Sequence, residues 1–196
     1  MTPAGRPDVS WLGDAELRLP AGLVLSFQRY ELPASRIIER APPSLGALPV
    51  GLSREGELLL PLASRECFWI GLASDRGQPA SLSVGLERDD GSMVDVLTGS
   101  TWDPGAAARA FVPGSSLIDG VRRADGSFEA LFRDDGSARG PRAQRLHVIV
   151  YAGGASVASV VARLELVDYA TFRARSGSVP PAPLDPEAGY KGWLLP

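Results

Sequence analysis

The sequence predicts an all-β protein, an antiparallel β-sandwich of jelly-roll-like type with about eight to ten strands. Short runs that are apolar or that alternate apolar and polar residues recur along the chain, whereas stretches with the period of a helix are scarce. Asp-Gly pairs lie between several of these runs, and Asp-Gly tolerates the positive φ of tight hairpin turns. These pairs are Asp90-Gly91, Asp119-Gly120, Asp125-Gly126 and Asp135-Gly136.

The predicted strands fall into two kinds. Residues 58–62 and 67–72 are continuously apolar, which is typical of sandwich strands buried on both faces. Residues 80–86 and 93–98 alternate, and residues 86–94 predict a hairpin around Asp90-Gly91. Because side chains alternate along a strand, we expect Trp69 to be buried on the side opposite Phe68. The complete set of predicted strands is 17–19, 23–30, 58–62, 67–72, 80–86, 93–98, 127–132, 146–151 and 160–167.

Helix is predicted in one or two short turns only. Residues 35–41 can form one to two turns with Ser35 as N-cap, ended by Pro42 and Pro43. Residues 104–109 predict another short turn. The expected organisation is an N-terminal extension (1–14), the sandwich domain (15–172) and a proline-rich extended arm with an apolar end (173–196).

The end of the chain is the feature that most suggests a partner. Prolines at 180, 181, 183 and 186 remove backbone donors, so the segment should be extended, partly as polyproline II. Its last residues are strongly apolar, which is unusual for a disordered tail, so the end should either dock on its own domain or be held by a partner, and a partner is favoured. Trp102 follows a turn and is also expected to contact something other than the core. The predicted partner-binding residues are Trp102, Tyr190, Trp193, Leu194 and Leu195, and the partner is another protein or a second copy of the chain.

Composition excludes several classes of protein. Lys+Arg total 20 and Asp+Glu total 23, so the net charge of −3 does not suit a broadly basic nucleic-acid binder. No run approaches the roughly 18 apolar residues of a membrane span. The first residues lack the apolar region of a secretory signal, and the single cysteine, Cys67, cannot form an internal disulfide. A cytoplasmic location is therefore expected.

Few residues are candidates for chemistry. Glu66 and Asp119 are candidate carboxylates, but a strand-start arginine partner for Glu66 and a turn position for Asp119 explain them better. His147 alternates with aliphatic residues in a predicted strand, and one His with one Cys does not make a usual zinc site. The acidic turns at 89–95 and 134–137 lack the EF-hand spacing, so solvated hairpin tips are favoured over calcium sites. We therefore predict no catalytic residue, no cofactor and no metal.

A set of motifs resembles, in the same order, those of an uncharacterised β-rich family from high-GC bacteria and some eukaryotes. The similarity extends over roughly residues 15–152, with Asp95 where the family usually has Asn and a different run at 129–132. The family has no assigned activity, so the resemblance implies an all-β fold and is silent on chemistry. The motifs are Leu17-Arg18-Leu19-Pro20, residues 60–70, Thr98-Gly99 with Trp102, Val112-Pro113 with Ile118-Asp119-Gly120-Val121, and residues 146–151.

We therefore predict a non-catalytic interaction or assembly module. It acts through protein–protein contacts, some of which are made by its C-terminal arm. The alternatives are a sandwich that binds a carbohydrate-type ligand through exposed aromatic residues, and a hydrolase with Glu66, Asp119 or His147 in its site.

Overall fold

A computed structural model describes residues 12, 15–19, 22–77, 79–133, 141–152 and 160–184. Of the described residues, 48% lie in strands and 7% in helices, which confirms the all-β sandwich. The elements are β1 (Glu16–Leu19), β2 (Leu23–Glu31), β3 (Ile37–Ile38), β4 (Ala47–Leu48), β5 (Gly51–Leu52), β6 (Leu58–Pro61), β7 (Glu66–Ser74), β8 (Ala80–Arg88), β9 (Met93–Asp95), β10 (Ala110–Val112), β11 (Leu117–Ile118), β12 (Val121–Arg122), β13 (Phe128–Glu129), β14 (Leu131–Phe132), β15 (Ala143–Ala152), β16 (Val160–Val167) and α1 (Tyr169–Ser176), with a 3-10 turn at Asp75–Gly77.

Two sheets face each other across the core, and a small third sheet lies beside them. The first sheet has the order β1-β2-β7-β11, with β4 on β2 and β14 on β7. The second has the order β10-β8-β15-β16-β6-β5, with β9 on β8. Strands β12, β13 and β3 form the third. The pairing of β16 with β6 is parallel, so the second sheet is not wholly antiparallel. The direction of β16 is set by its long antiparallel pairing with β15.

Alternation along the strands fills the core from both sheets. Phe27 and Phe68 of the first sheet pack edge to face, with ring centroids 5.9 Å apart, inside the main cluster. Strand β6 is buried on both faces, as predicted: Leu58 and Leu60 join the main core, while Leu59 packs with Phe172 of α1.

Strand β7 confirms the predicted alternation but not the burial of Trp69. Phe68 and Ile70 lie in the main core, whereas Cys67 belongs to a smaller cluster on the other face of the sheet. Trp69 packs on that smaller cluster and is half-buried, and its indole Nε1 donates to the Pro42 carbonyl at 3.0 Å. Full burial was a wrong expectation, because Trp69 packs against the edge of this smaller cluster and keeps part of its surface exposed.

Two of the Asp-Gly turns are hairpins and one is not. Arms β8 and β9 pair across Asp90-Gly91, and β12 and β13 pair across Asp125-Gly126. Strands β11 and β12, which flank Asp119-Gly120, belong to different sheets. The Asp119 carboxylate accepts the backbone N–H of Ala41 instead. Asp135-Gly136 lies outside the described residues.

Three predicted segments differ in detail. The helix expected at 35–41 is wrong: the β-branched pair Ile37 and Ile38 forms β3 against β13, and the Ser35 hydroxyl accepts the Ile37 N–H in a local turn. The strand expected at 93–98 ends at Asp95, because that carboxylate binds the N–H groups of Leu97 and Thr98. The strand expected at 127–132 is divided into β13 and β14.

The C-terminal arm begins later than predicted. Residues 173–176 belong to α1, whose N-cap, Asp168, accepts the Thr171 N–H at 2.8 Å. The helix ends at Gly177, which has a left-handed φ of 73° as its C-cap. We therefore use "C-terminal arm" for residues 177–196, of which 177–184 are described and have no regular structure.

Candidate functional site

The strongest candidate site lies where the C-terminal arm meets the end of the sandwich core. Arg29 on β2 is opposite Phe68, and the same register places Glu31 opposite Glu66 on β7. Alternate residues of a strand lie on the same face of the sheet. Arg29 therefore shares a face with Phe27, and Glu66 shares a face with Phe68, and this is the face that contacts the core. Tyr169, in the first turn of α1, reaches the same place. We call Arg29, Glu66 and Tyr169 the anchor cluster.

The anchor cluster is a buried ion pair with additional hydrogen bonds. Arg29 is 9% exposed and Glu66 is 2% exposed. Arg29 Nη1 lies 3.2 Å from Glu66 Oε1, and the Tyr169 hydroxyl lies 2.8 and 2.7 Å from the two carboxylate oxygens. The Ala63 N–H donates to Glu66 Oε2 at 2.9 Å. A buried charge is tolerated when an opposite charge and further hydrogen bonds compensate it, and both conditions hold here.

The phenol of Tyr169 is a donor in this cluster. Burial first, and then the neighbouring Glu66 carboxylate, raise the pKa of Tyr169 above its ordinary value. The phenol is therefore protonated at neutral pH and donates to Glu66, while its oxygen accepts from Arg29 Nη1 at 3.1 Å. Arg29 Nε is buried and has no hydrogen-bond partner among the described residues.

The C-terminal arm contacts this cluster through its backbone. The carbonyl oxygen of Ala182 accepts a hydrogen bond from Arg29 Nη1 at 2.7 Å. Charge-assisted hydrogen bonds of this length are among the stronger ones in proteins. The cluster thus binds an extended peptide by its main chain.

Glu66 is occupied by partners inside the protein. Its two oxygens accept hydrogen bonds from Arg29, Tyr169 and the Ala63 backbone. Arg29 is thus the arginine partner that the sequence led us to expect for Glu66. Asp119, the other candidate carboxylate, is bound to the backbone of Ala41 and shares none of these contacts. The structure therefore does not pair the two carboxylates in the way that a glycosidase requires.

A second polar cluster lies on the outer face of the second sheet. His147 Nε2 is 2.7 Å from Glu87 Oε2, and Arg145 Nη1 is 3.1 Å from both oxygens of that carboxylate. Burial lowers the pKa of His147 below its ordinary value, and the hydrogen bond from His147 chiefly lowers the pKa of Glu87. At neutral pH the charges of the Glu87 carboxylate and the Arg145 guanidinium offset each other, and the His147 imidazole is neutral.

Trp102 packs on the same outer face. Its indole lies on the backbone of Gly85, where a Cβ atom would be 2.3 Å from Cδ2, and its ring centroid is 5.4 Å from that of His147. Trp102 is half-buried rather than projecting into solvent. Its predicted role in binding a partner stays a prediction. The other predicted partner-binding residues, Tyr190, Trp193, Leu194 and Leu195, lie outside the described residues.

The carboxylates of the first acidic turn bind backbone N–H groups. Asp89 accepts from Arg142, and Asp90 accepts from Ser92. Asp95 accepts from Leu97 and Thr98 through one oxygen and from Ala108 through the other. Within the described part of the chain, no group of three or more His, Cys, Asp or Glu residues is arranged to hold a metal ion.

Sequence reasoning missed Arg29, Tyr169 and Ala182. Arg29 had a signal, because a charged residue two positions after Phe27 occupies an inward position of an alternating strand. A charged residue at such a position is almost never buried without a partner. Tyr169 and Ala182 had no comparable signal.

The fold and the anchor cluster define an all-β sandwich protein whose C-terminal arm is bound to its own domain by a buried arginine. No family model, curated protein or solved structure matches this chain. The resemblance to the β-rich family therefore stays an expectation from the sequence. Among the described residues, no helix has the length and apolar character needed to cross a membrane.

Proposed function

We propose that this chain is a non-catalytic interaction module that binds another protein through the apolar end of its C-terminal arm. The observation that carries the proposal is the hydrogen bond between Arg29 and the Ala182 carbonyl. It holds the arm at a defined point of the domain, from which the segment containing Tyr190, Trp193, Leu194 and Leu195 continues.

The anchor favours binding because it orders part of the arm in advance. Fixing the backbone of one residue costs about 1–2 kcal/mol, so ordered residues before the binding segment reduce the entropy lost on association. Each large apolar side chain that becomes fully buried contributes about 1.5–3 kcal/mol. Burial of one Trp and two Leu side chains by a partner can therefore supply several kcal/mol of binding free energy.

A cytoplasmic location is part of the proposal. Cys67 is free, and burial raises its pKa to about 12, so the thiol stays protonated and unreactive at neutral pH. A domain of this size without a disulfide is typical of a reducing compartment.

The two alternatives have less support from the described residues. A sugar-binding platform needs an open aromatic face, whereas Trp69 and Trp102 are both half-buried against their own sheets. A hydrolase needs a carboxylate or histidine that is free to exchange a proton with substrate. Glu66 is held by Arg29 and Tyr169, and His147 by Glu87.

Site-specific photo-cross-linking tests the proposal. A benzophenone amino acid at position 190, in cells that produce the protein, should form cross-links to another polypeptide that mass spectrometry can identify. The matched control carries the same group in place of Phe111, which is 59% exposed and lies on β10. Cross-links from position 190 that join only residues of the same chain would contradict the proposal, as would an identical set of partners at position 111.

A further inference from the structure

We propose that the outer face of the second sheet binds the oxyanion of a small molecule, a carboxylate or a phosphate, between Arg109 and the hydroxyl groups of Ser81 and Ser83. The site involves no residue of the C-terminal arm, so this inference goes beyond the proposed function. It follows from three properties of the described residues: two buried hydroxyl groups without partners, one flexible cation that covers them, and neighbouring side chains that bear no carboxylate.

Ser81 and Ser83 are buried polar residues that point away from the main core. Leu82 and Val84 of the same strand, β8, belong to the main core, so the two serines lie on the opposite face of the sheet. Ser81 is 1% exposed and Ser83 is 0% exposed, and neither Oγ has a hydrogen-bond partner among the described residues. Buried polar groups of this kind are rare, because each costs free energy in the folded state. The pair therefore indicates a place where a ligand completes the hydrogen bonding.

The side chain of Arg109 covers the two serines. Arg109 immediately precedes β10, in which Phe111 is opposite Ser81, and β8 lies between β10 and β15. The guanidinium carbon of Arg109 is 3.6 Å from the centre of the Tyr151 ring, on β15. To reach β15 from β10, the side chain must cross β8 where the serines lie. Rotation of this one side chain away from Tyr151 exposes both hydroxyl groups and keeps a positive charge beside them.

A third hydrogen-bond donor lies further along the same face. The Trp102 indole packs on Gly85, two positions after Ser83, and its Nε1 is buried without a hydrogen-bond partner among the described residues. An indole N–H can only donate, and a serine hydroxyl can donate as well. Together with a guanidinium, these groups favour a ligand that is negatively charged and rich in acceptors.

The neighbouring side chains suit an anion. Ile149 and Tyr151 on β15 and Phe111 on β10 share the face of the two serines, and none of them bears a carboxylate. Asp95 is opposite Gly85, but backbone N–H groups bind both of its oxygens. Phe111 is 59% exposed and offers an apolar surface to the rest of the molecule.

NMR titration of the Trp102 indole tests the site. Protein labelled with ¹⁵N is titrated with inorganic phosphate and, separately, with acetate, and sodium chloride at the same ionic strength is the reference. The indole signal of Trp102 is assigned with the variant Trp102→Phe. We expect this signal to shift saturably with at least one of the two oxyanions and not with chloride. The two titrations distinguish a phosphate site from a carboxylate site.

The double variant Ser81→Ala/Ser83→Ala should weaken this binding by about tenfold or more, because it removes two donors. Its urea midpoint should be unchanged or higher, since the two hydroxyl groups have no partner among the described residues. Arg109→Gln, which removes the cation, should also weaken binding. The matched control is Ser116→Ala, an exposed serine between β10 and β11, which should bind as the wild-type protein does.

Several results would overturn the site. These are the absence of a saturable shift with both oxyanions, and equal binding by the wild-type protein and by Ser81→Ala/Ser83→Ala. A clearly lower urea midpoint of the double variant would also overturn it, because the hydroxyl groups would then have partners within the fold. None of these results bears on the cross-linking from position 190, so failure of this site and failure of the proposed function are distinguishable.

Discussion

Arg29 and Glu66 form a charge pair that the interior tolerates only as a pair. We expect Arg29→Met alone to lower the free energy of unfolding by about 3–5 kcal/mol, because it leaves the Glu66 carboxylate buried without its cation. The double variant Arg29→Met/Glu66→Gln should cost clearly less than the sum of its two single variants. Urea unfolding of the four proteins measures this coupling. Single-variant costs that add to within about 0.5 kcal/mol would refute the coupling.

His147, the one histidine of the sequence, makes stability depend on pH. The folded protein lowers the pKa of His147, so between about pH 7 and pH 5 the unfolded state binds more protons and stability falls as the pH falls. Glu87, whose pKa is also lowered, adds a second loss at lower pH, below about pH 4.5.

The variant His147→Gln isolates this effect. It keeps a side chain that can donate a hydrogen bond to Glu87 but does not titrate, so the decrease in stability from about pH 7.5 to about pH 5.5 should become smaller. The measurement is the urea midpoint at several pH values, with the wild-type protein as reference. An unchanged pH slope in the variant would show that His147 is not responsible.

At the scale of elements, the segment 99–109 covers the outer face of β8. Its position depends on the buried carboxylate of Asp95, which binds Ala108, and on the close contact of Trp102 with Gly85. A methyl group at residue 85 overlaps the indole, and overpacking of this kind costs about 1–3 kcal/mol.

Gly85→Ala should therefore destabilise the protein and shift tryptophan emission to longer wavelength as Trp102 moves away from the sheet. The matched control is Gly105→Ala in the same segment, where the new Cβ atom comes no closer than 3.4 Å to a described neighbour, Asp103. Equal effects of the two variants on emission and stability would contradict the packing of Trp102 on Gly85.

Elements with strong local patterns were predictable, and those that depend on distant contacts were not. The β8–β9 hairpin follows from alternating arms around Asp90-Gly91. The segment 35–41 has a serine cap and a few apolar residues, which indicate a helix locally. Its backbone instead pairs with β13, about ninety residues later, and a local pattern carries no information on that partner.

At the scale of the whole molecule, we expect the arm to contribute to stability and propose that its apolar end contributes to association, and two truncations separate these contributions. Ending the chain after Leu184 removes the apolar end but keeps the anchor, so association should be lost with little change in the unfolding free energy. Ending it after Gly177 should in addition lower that free energy by about 1.5–3 kcal/mol, the usual range for a hydrogen bond to a charged group.

Urea unfolding and sedimentation of the two truncated proteins test this expectation. Equal stabilities would contradict a stabilising role for the Arg29–Ala182 contact. Association retained by the protein that ends at Leu184 would contradict the role of the apolar end.

The sequence by itself determined that the protein is all-β, where most of the long strands lie, and that β6 is buried on both faces. These properties follow from side-chain alternation and from turn residues, which act over a few positions. Only the tertiary structure decided that Arg29, Glu66 and Tyr169 meet beneath the arm, and that Trp102 lies on Gly85. Such contacts join residues up to 153 positions apart, as for Arg29 and Ala182, and they depend on the order and direction of the strands in the sheets.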